Sequence, residues 1–103
     1  MSQLTLNERI KNIPNEDNYL IAGYIKDNNV VMKVRAICES VKRDLSSSDV
    51  ISAIQDASCD QRSFWNQYLV SDFAEAALDV LGIKKYEGER RQVLEMIEVK
   101  LDV

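Results

Sequence analysis

Val30-Val31-Met32-Lys33-Val34-Arg35-Ala36-Ile37-Cys38-Glu39-Ser40-Val41-Lys42-Arg43-Asp44-Leu45 is the stretch that decides the fold class. Val30, Val34, Ile37, Val41 and Leu45 recur at spacings of four and three, which lines them along one side of a helix. A half-buried strand would instead alternate apolar and polar residues. The rival reading is a β-hairpin with arms 19–25 and 30–34, suggested by β-branched residues on both arms. Strict alternation is missing on both arms, and the stripe runs on to Leu45. Helices are therefore expected on either side of Asn28-Asn29, a turn pair because Asn tolerates the left-handed conformation.

The flanking segments read the same way. Thr5-Leu6-Asn7-Glu8 is a capping-box pattern opening a short helix with Leu6, Ile10 and Ile13, which Pro14 should stop. Residues 16–27 place Leu20, Ile21, Tyr24 and Ile25 on one face. Ser46-Ser47-Ser48-Asp49 supplies N-cap residues for a helix carrying Val50, Ile51 and Ile54. A further helix is expected from near Gln61 as far as Leu81. Asp72 followed by Glu75 offers a point at which it restarts instead. Gly82 suits the residue that closes it. A last helix carries Val93, Leu94, Met96, Ile97 and Leu101. The expectation is an all-α bundle of five or six helices with short connections, residues 1–103 forming a single helical domain.

Composition narrows the function classes. The 103 residues are 46% apolar and 29% charged, with three Gly and one Pro, which suits one globular core. No apolar run nears the roughly 18 residues that a membrane span requires. The first residues lack the basic start and apolar middle of a secretory signal, so a cytoplasmic location is expected. Cys38 and Cys59 are expected to be reduced, since a core of this size needs no staple.

Chemistry is poorly provided for. Histidine is absent, which removes the commonest general base and the commonest metal ligand. Gly23, Gly82 and Gly88 are isolated, so no phosphate-cradling loop is present, and no Gly-x-Ser-x-Gly elbow occurs. Carboxylates at helical spacing (Asp56/Asp60, Glu75/Asp79) fit a solvated helix face better than an acid–base pair. The sequence reads as a binding protein without enzyme activity, cofactor or metal.

The distribution of charge says more than the total of −4. Residues 44–83 hold seven acids, Asp44, Asp49, Asp56, Asp60, Asp72, Glu75 and Asp79, against one base, Arg62. The rest of the chain is slightly basic or balanced. The basic doublets (Lys33/Arg35, Lys42/Arg43, Lys84/Lys85, Arg90/Arg91) are scattered, unlike the concentrated bases of a DNA-reading helix. No direct nucleic-acid or membrane partner is expected. At about 100° per residue, a continuous helix over 61–81 sets Leu69, Phe73, Ala76 and Val80 on the core side. One flank then presents Trp65, Tyr68, Asp72, Glu75 and Asp79 together, aromatic anchors with a charged rim of the kind that makes interface hot spots.

With Asp56 and Asp60, these residues form the candidate partner-binding set. In size, acidity, helicity and this Tyr/Trp-plus-carboxylate surface the chain resembles bacterial immunity proteins, the helical colicin-nuclease type and those of contact-dependent growth inhibition. That resemblance implies a basic protein partner, a toxin or nuclease domain, neutralised by occluding its active site with carboxylates in place of phosphates. The alternative is a helical adaptor or regulatory subunit that binds a partner helix in an apolar groove.

Overall fold

The computed structural model describes residues 5–65, 68–86 and 93. Five α-helices and one small hairpin follow in the order α1 (Leu6–Asn12), α2 (Asn18–Ile25), α3 (Val30–Lys42), α4 (Ser48–Ala57), β1 (Ser63–Trp65), β2 (Tyr68–Leu69) and α5 (Val70–Val80). The starts of α1, α3 and α4 each have a local cause, a side-chain cap. Thr5 and Glu8 close the capping box reciprocally, Glu8 N–H donating to Thr5 Oγ1 at 3.2 Å and Thr5 N–H to Glu8 Oε1 at 3.0 Å. Those bonds hold the Glu8 carboxyl below its ordinary range. At Pro14 the chain tightens into a 3-10 turn, Ile13–Asn15. Asn29 caps α3 by accepting from Met32 N–H at 2.9 Å, and Ser47 caps α4. Residues 19–34 are thus two helices joined by a short turn, and the hairpin rival does not form.

α3 packs against α2 and α5, and α4 packs against α5 and α2, so four helices close a ring around the core. Ile21 and Ile25 of α2, Met32 and Ile37 of α3, Ile54 of α4 and Val70 and Phe73 of α5 are among its largest buried members. Alanines at 36, 53, 57, 74, 76 and 77 are buried between helices and let their backbones approach. Cys38 and Val41 pack half-buried against this core. Tyr86 is buried in it, and so is Val93, which is helical. The other residues named for the last helix, Leu94, Met96, Ile97 and Leu101, lie outside the described residues.

The all-α expectation needs one correction. Residues 63–69 form an antiparallel pair, Ser63 opposite Leu69 and Trp65 opposite Tyr68, with an irregular register between Ser63 and Trp65. The long helix expected from Gln61 therefore begins only at Val70. Its N-cap, Leu69, has no side-chain oxygen to offer. Instead, two carbonyls from the loop after α4 serve the first free N–H groups. Val70 N–H donates to Arg62 O at 3.0 Å, and Ser71 N–H to Asp60 O at 2.9 Å.

Arg43 ties the end of α3 to the start of α2. Its guanidinium donates to Glu39 Oε2 at 2.7 Å, to Asn18 Oδ1 at 2.9 Å, and to the carbonyls of Ile13 and Pro14 at 3.1 and 3.0 Å. Glu39 is buried, so this fork also neutralises a carboxylate in the interior. The helix ends on either side of α4 differ. After α5, Gly82 sits at φ 79°, and Ile83 N–H donates back to Leu78 O at 2.8 Å. After α3 the same motif forms, with Leu45 N–H on Ser40 O at 2.9 Å, but the left-handed residue is Asp44 at φ 55°.

Two stability predictions follow from these contacts. Asp44→Gly removes a strained left-handed side chain and an acid from a helix C-terminus, so it should raise unfolding free energy by about 0.5–1.5 kcal/mol. Arg43→Ala strands the Glu39 carboxylate and three further acceptors, and should cost about 2–4 kcal/mol. Denaturant titration followed by circular dichroism measures both.

Candidate functional site

The acids of residues 44–83 divide by what they do inside the fold. On α4, Val50, Ala53, Ile54 and Ala57 turn inward. Asp49, Ser52 and Asp56 are left exposed at positions i, i+3 and i+7, one face of a helix that carries no base. Asp56 belongs to the candidate set. Asp49 shares its face and was passed over, although the seven-residue spacing marks it in the sequence.

Asp60 has structural work. Its carboxylate takes the Arg62 side chain at 3.0 Å (Nε to Oδ1) and 2.6 Å (Nη2 to Oδ2), and the Arg62 backbone N–H at 3.0 Å. Arg62 Nη1 reaches on to Asn28 O at 2.8 Å, so the loop is tied to the turn between α2 and α3. The hydrogen-bonded guanidinium holds the Asp60 carboxyl below its usual range. Lys33, read in the sequence only as half of a scattered basic doublet, lies buried beneath this corner and donates from Nζ to Ile25 O at 2.7 Å. Burial pushes its ammonium pKa down, against the opposing pull of Asp60, Asp27 and Asp56.

Asp72 accepts from Leu69 N–H at 2.9 Å, placing a carboxylate in the first turn of α5 where the helix dipole favours it. Asp79 accepts the backbone N–H of the buried Tyr86. Glu75 sits half-buried between them on the same flank. Tyr68 is half-buried rather than displayed, its ring edge-on to Phe73 with centroids 6.2 Å apart. Phe64 also meets Phe73 edge-to-face, with centroids 5.2 Å apart. The hairpin thus clasps α5 through edge-to-face rings. Trp65 enters by its backbone alone, opposite Tyr68; its side chain lies outside the described part.

The five residues expected on one helix flank therefore do not share it, because Trp65 and Tyr68 precede α5. Asp72, Glu75 and Asp79 do, Trp65 and Tyr68 belong to the hairpin, and Asp60 and Asp56 lie at the end of α4. Among the described residues, no three Cys, Asp or Glu side chains gather as a metal site. No helix of the described residues is long and apolar enough to cross a membrane.

The two thiols are free and differ sharply. Burial pushes Cys38 up to about 12, so it is an inert core group, while Cys59 is exposed. A thiol reagent at neutral pH should label Cys59 in the native protein and Cys38 only after unfolding, with no reductant needed. Acid should act through Asp60. Its folded pKa is depressed, so its contribution is complete above the ordinary aspartate value of 3.8 and is lost as pH falls through the folded value. Asp60→Asn should lower stability at pH 7 and flatten the acid limb below about pH 4, read by circular dichroism against pH.

Comparison of the chain with protein-family models, with curated proteins and with solved structures returns no match.

Proposed function

We propose that this chain is a small acidic binding protein whose carboxylate surface docks on a basic protein. Within that class we propose an immunity protein or inhibitor that covers the cationic active site of a toxin, a nuclease being the partner its charge suits. A nuclease cleft is positive because its substrate is a polyanion, and carboxylates can stand where phosphates would. Opposite charge also speeds encounter, which an inhibitor needs if it is to act before the toxin does.

The observation that carries this reading is what remains after the internal carboxylates are set aside. The only base of residues 44–83, Arg62, is locked onto Asp60. Asp44, Asp49 and Asp56 stay exposed, Glu75 half-exposed, and none forms an ion pair among the described residues. The excess of acid is therefore turned outward rather than used up by the fold.

The test separates charge from structure. The chain, used as bait in extracts of its source cells, should capture a basic protein whose activity it blocks at equal stoichiometry. The triple variant Asp49→Asn, Asp56→Asn, Glu75→Gln removes three charges that form no hydrogen bond or ion pair among the described residues. Asp56 is only the last and weakest of the carboxylates that pull on buried Lys33, so folding stability should stay within about 1 kcal/mol. Its association rate with the captured partner should fall about tenfold or more at low salt, with a flatter salt dependence. An unchanged rate at low salt overturns the reading and leaves the carboxylates as a solubilising surface.

A further inference from the structure

Lys33 is a buried cation to which the fold offers a single partner. It is 9% exposed, and its Nζ donates to the carbonyl of Ile25, the last residue of α2, at 2.7 Å. Among the described residues that is its one hydrogen bond, and it forms no ion pair. An ammonium has three donors, and holding it out of water without a paired charge is costly. Burial loosens its proton, against the pull of Asp60 in the loop after α4, Asp27 in the turn before α3 and Asp56 near the end of α4, with Arg62 repelling it. Two of those carboxylates are shared with other cations, Asp27 with Arg9 at 3.7 Å and Asp60 with Arg62 at 2.6 Å.

The loop over this cation is tied down by side chains and in turn holds the start of α5. Arg62 Nη1 reaches Asn28 O at 2.8 Å, and the carbonyls of Asp60 and Arg62 take the N–H groups of Ser71 and Val70. Swinging residues 58–62 outward brings water to Lys33 and frees both of those N–H groups. We infer that Lys33 is a conformational device: its buried charge primes the 58–62 loop to open, and removal of that charge locks the loop closed. A base that holds its proton less tightly in the closed state than in water opposes closure while it is charged. Closure therefore strengthens as pH rises through the closed-state value, and the gain is complete at the ordinary lysine value of 10.5. The neutral amine keeps its bond to Ile25 O, since one N–H suffices for it. Asp27, Asp56, Asp60 and Arg62 keep their charges over that range, because carboxylates titrate at about pH 4 and arginine above about 12. The device is internal to the fold and does not depend on what the outward carboxylates bind.

Hydrogen exchange at the Val70 and Ser71 amides reads the loop directly, because opening exposes them. The background is Cys59→Ser, so that the loop carries no thiol to titrate. At neutral pH both amides should be less protected than that of Ile37 inside α3, the mark of a local opening. Between about pH 7 and 10 their protection, corrected for the intrinsic exchange rate, should rise at least about threefold. Lys33→Met, which keeps the side chain's reach and removes its charge, should abolish the rise. Protection equal to that of Ile37 at neutral pH overturns the proposal, as does protection that stays flat or falls with pH. The same rise in Lys33→Met overturns it too. If that variant does not fold, the unsubstituted lysine decides by NMR. Its ε-methylene signal must titrate below 10.5, with the midpoint of the protection curve, and a midpoint at 10.5 or above overturns the device.

Discussion

α5 has no exposed residue along its whole length, and most of this architecture answers to that fact. A buried helix cannot leave its terminal N–H and C=O groups to water, so each end must be satisfied by protein. At the start, the Arg62 and Asp60 carbonyls take the N–H groups of Val70 and Ser71, and the Asp72 carboxylate takes that of Leu69. At the finish, Gly82, Ile83 and Lys84 return their N–H groups to Asp79 and Leu78. The alanines at 74, 76 and 77 complete the arrangement, since bulkier side chains would hold α3 and α4 away. The hairpin is the route by which the chain turns back from the Asp60–Arg62 loop to enter α5 from the correct side.

Local signals carried the sequence reading as far as they reach. Thr5 with Glu8, Ser47 and Gly82 act within three or four residues, and each sits at the helix end it is read to mark, whereas Asn29, read as a left-handed turn residue, is extended and caps α3 with its side chain. The start of α5 is different because its acceptors lie about ten residues back, at Asp60 and Arg62, and Leu69 offers no cue. Phe73, Ala76 and Val80 keep helical spacing with Leu69, so the pattern extends smoothly into residues that are strands. The restart expected at Asp72 does not occur, because the helix already begins at Val70. Asp72 serves from inside the first turn, by accepting from Leu69, rather than as the residue before the helix.

The candidate surface was legible in composition and illegible in allocation. Counting charges locates the acid excess between residues 44 and 83, but a count cannot separate a carboxylate that binds the chain's own backbone from one that faces water. Asp60, Asp72 and Asp79 are of the first kind. Neutralising them would unsettle the hairpin and both ends of α5, and any loss of binding would be confounded with loss of fold. Asp49, Asp56 and Glu75 are the positions where charge can be changed and the fold kept. The aromatic part shifts likewise: Tyr68 spends its ring on Phe73, and little of it is left to anchor a partner.

The Lys33 corner and the outward carboxylates make different electrostatic demands, which keeps them separable. Steering by the whole acidic surface is screened over a Debye length of about 8 Å at physiological ionic strength, and it falls off steeply. The Lys33 ammonium lies out of water, where salt screens little, and its balance is burial against three carboxylates. Salt thus acts on partner capture far more than on the loop over Lys33. Alkaline pH acts the other way round, because carboxylates titrate at about pH 4 and stay charged while a buried ammonium loses its proton. Asp56 belongs to both, exposed on α4 and pulling on Lys33. Its pull is the weakest of the three, so a partner's cation over Asp56 reaches Lys33 only faintly. Docking on α4 and opening of the loop before α5 are therefore nearly independent, and each can be altered by substitution with little effect on the other.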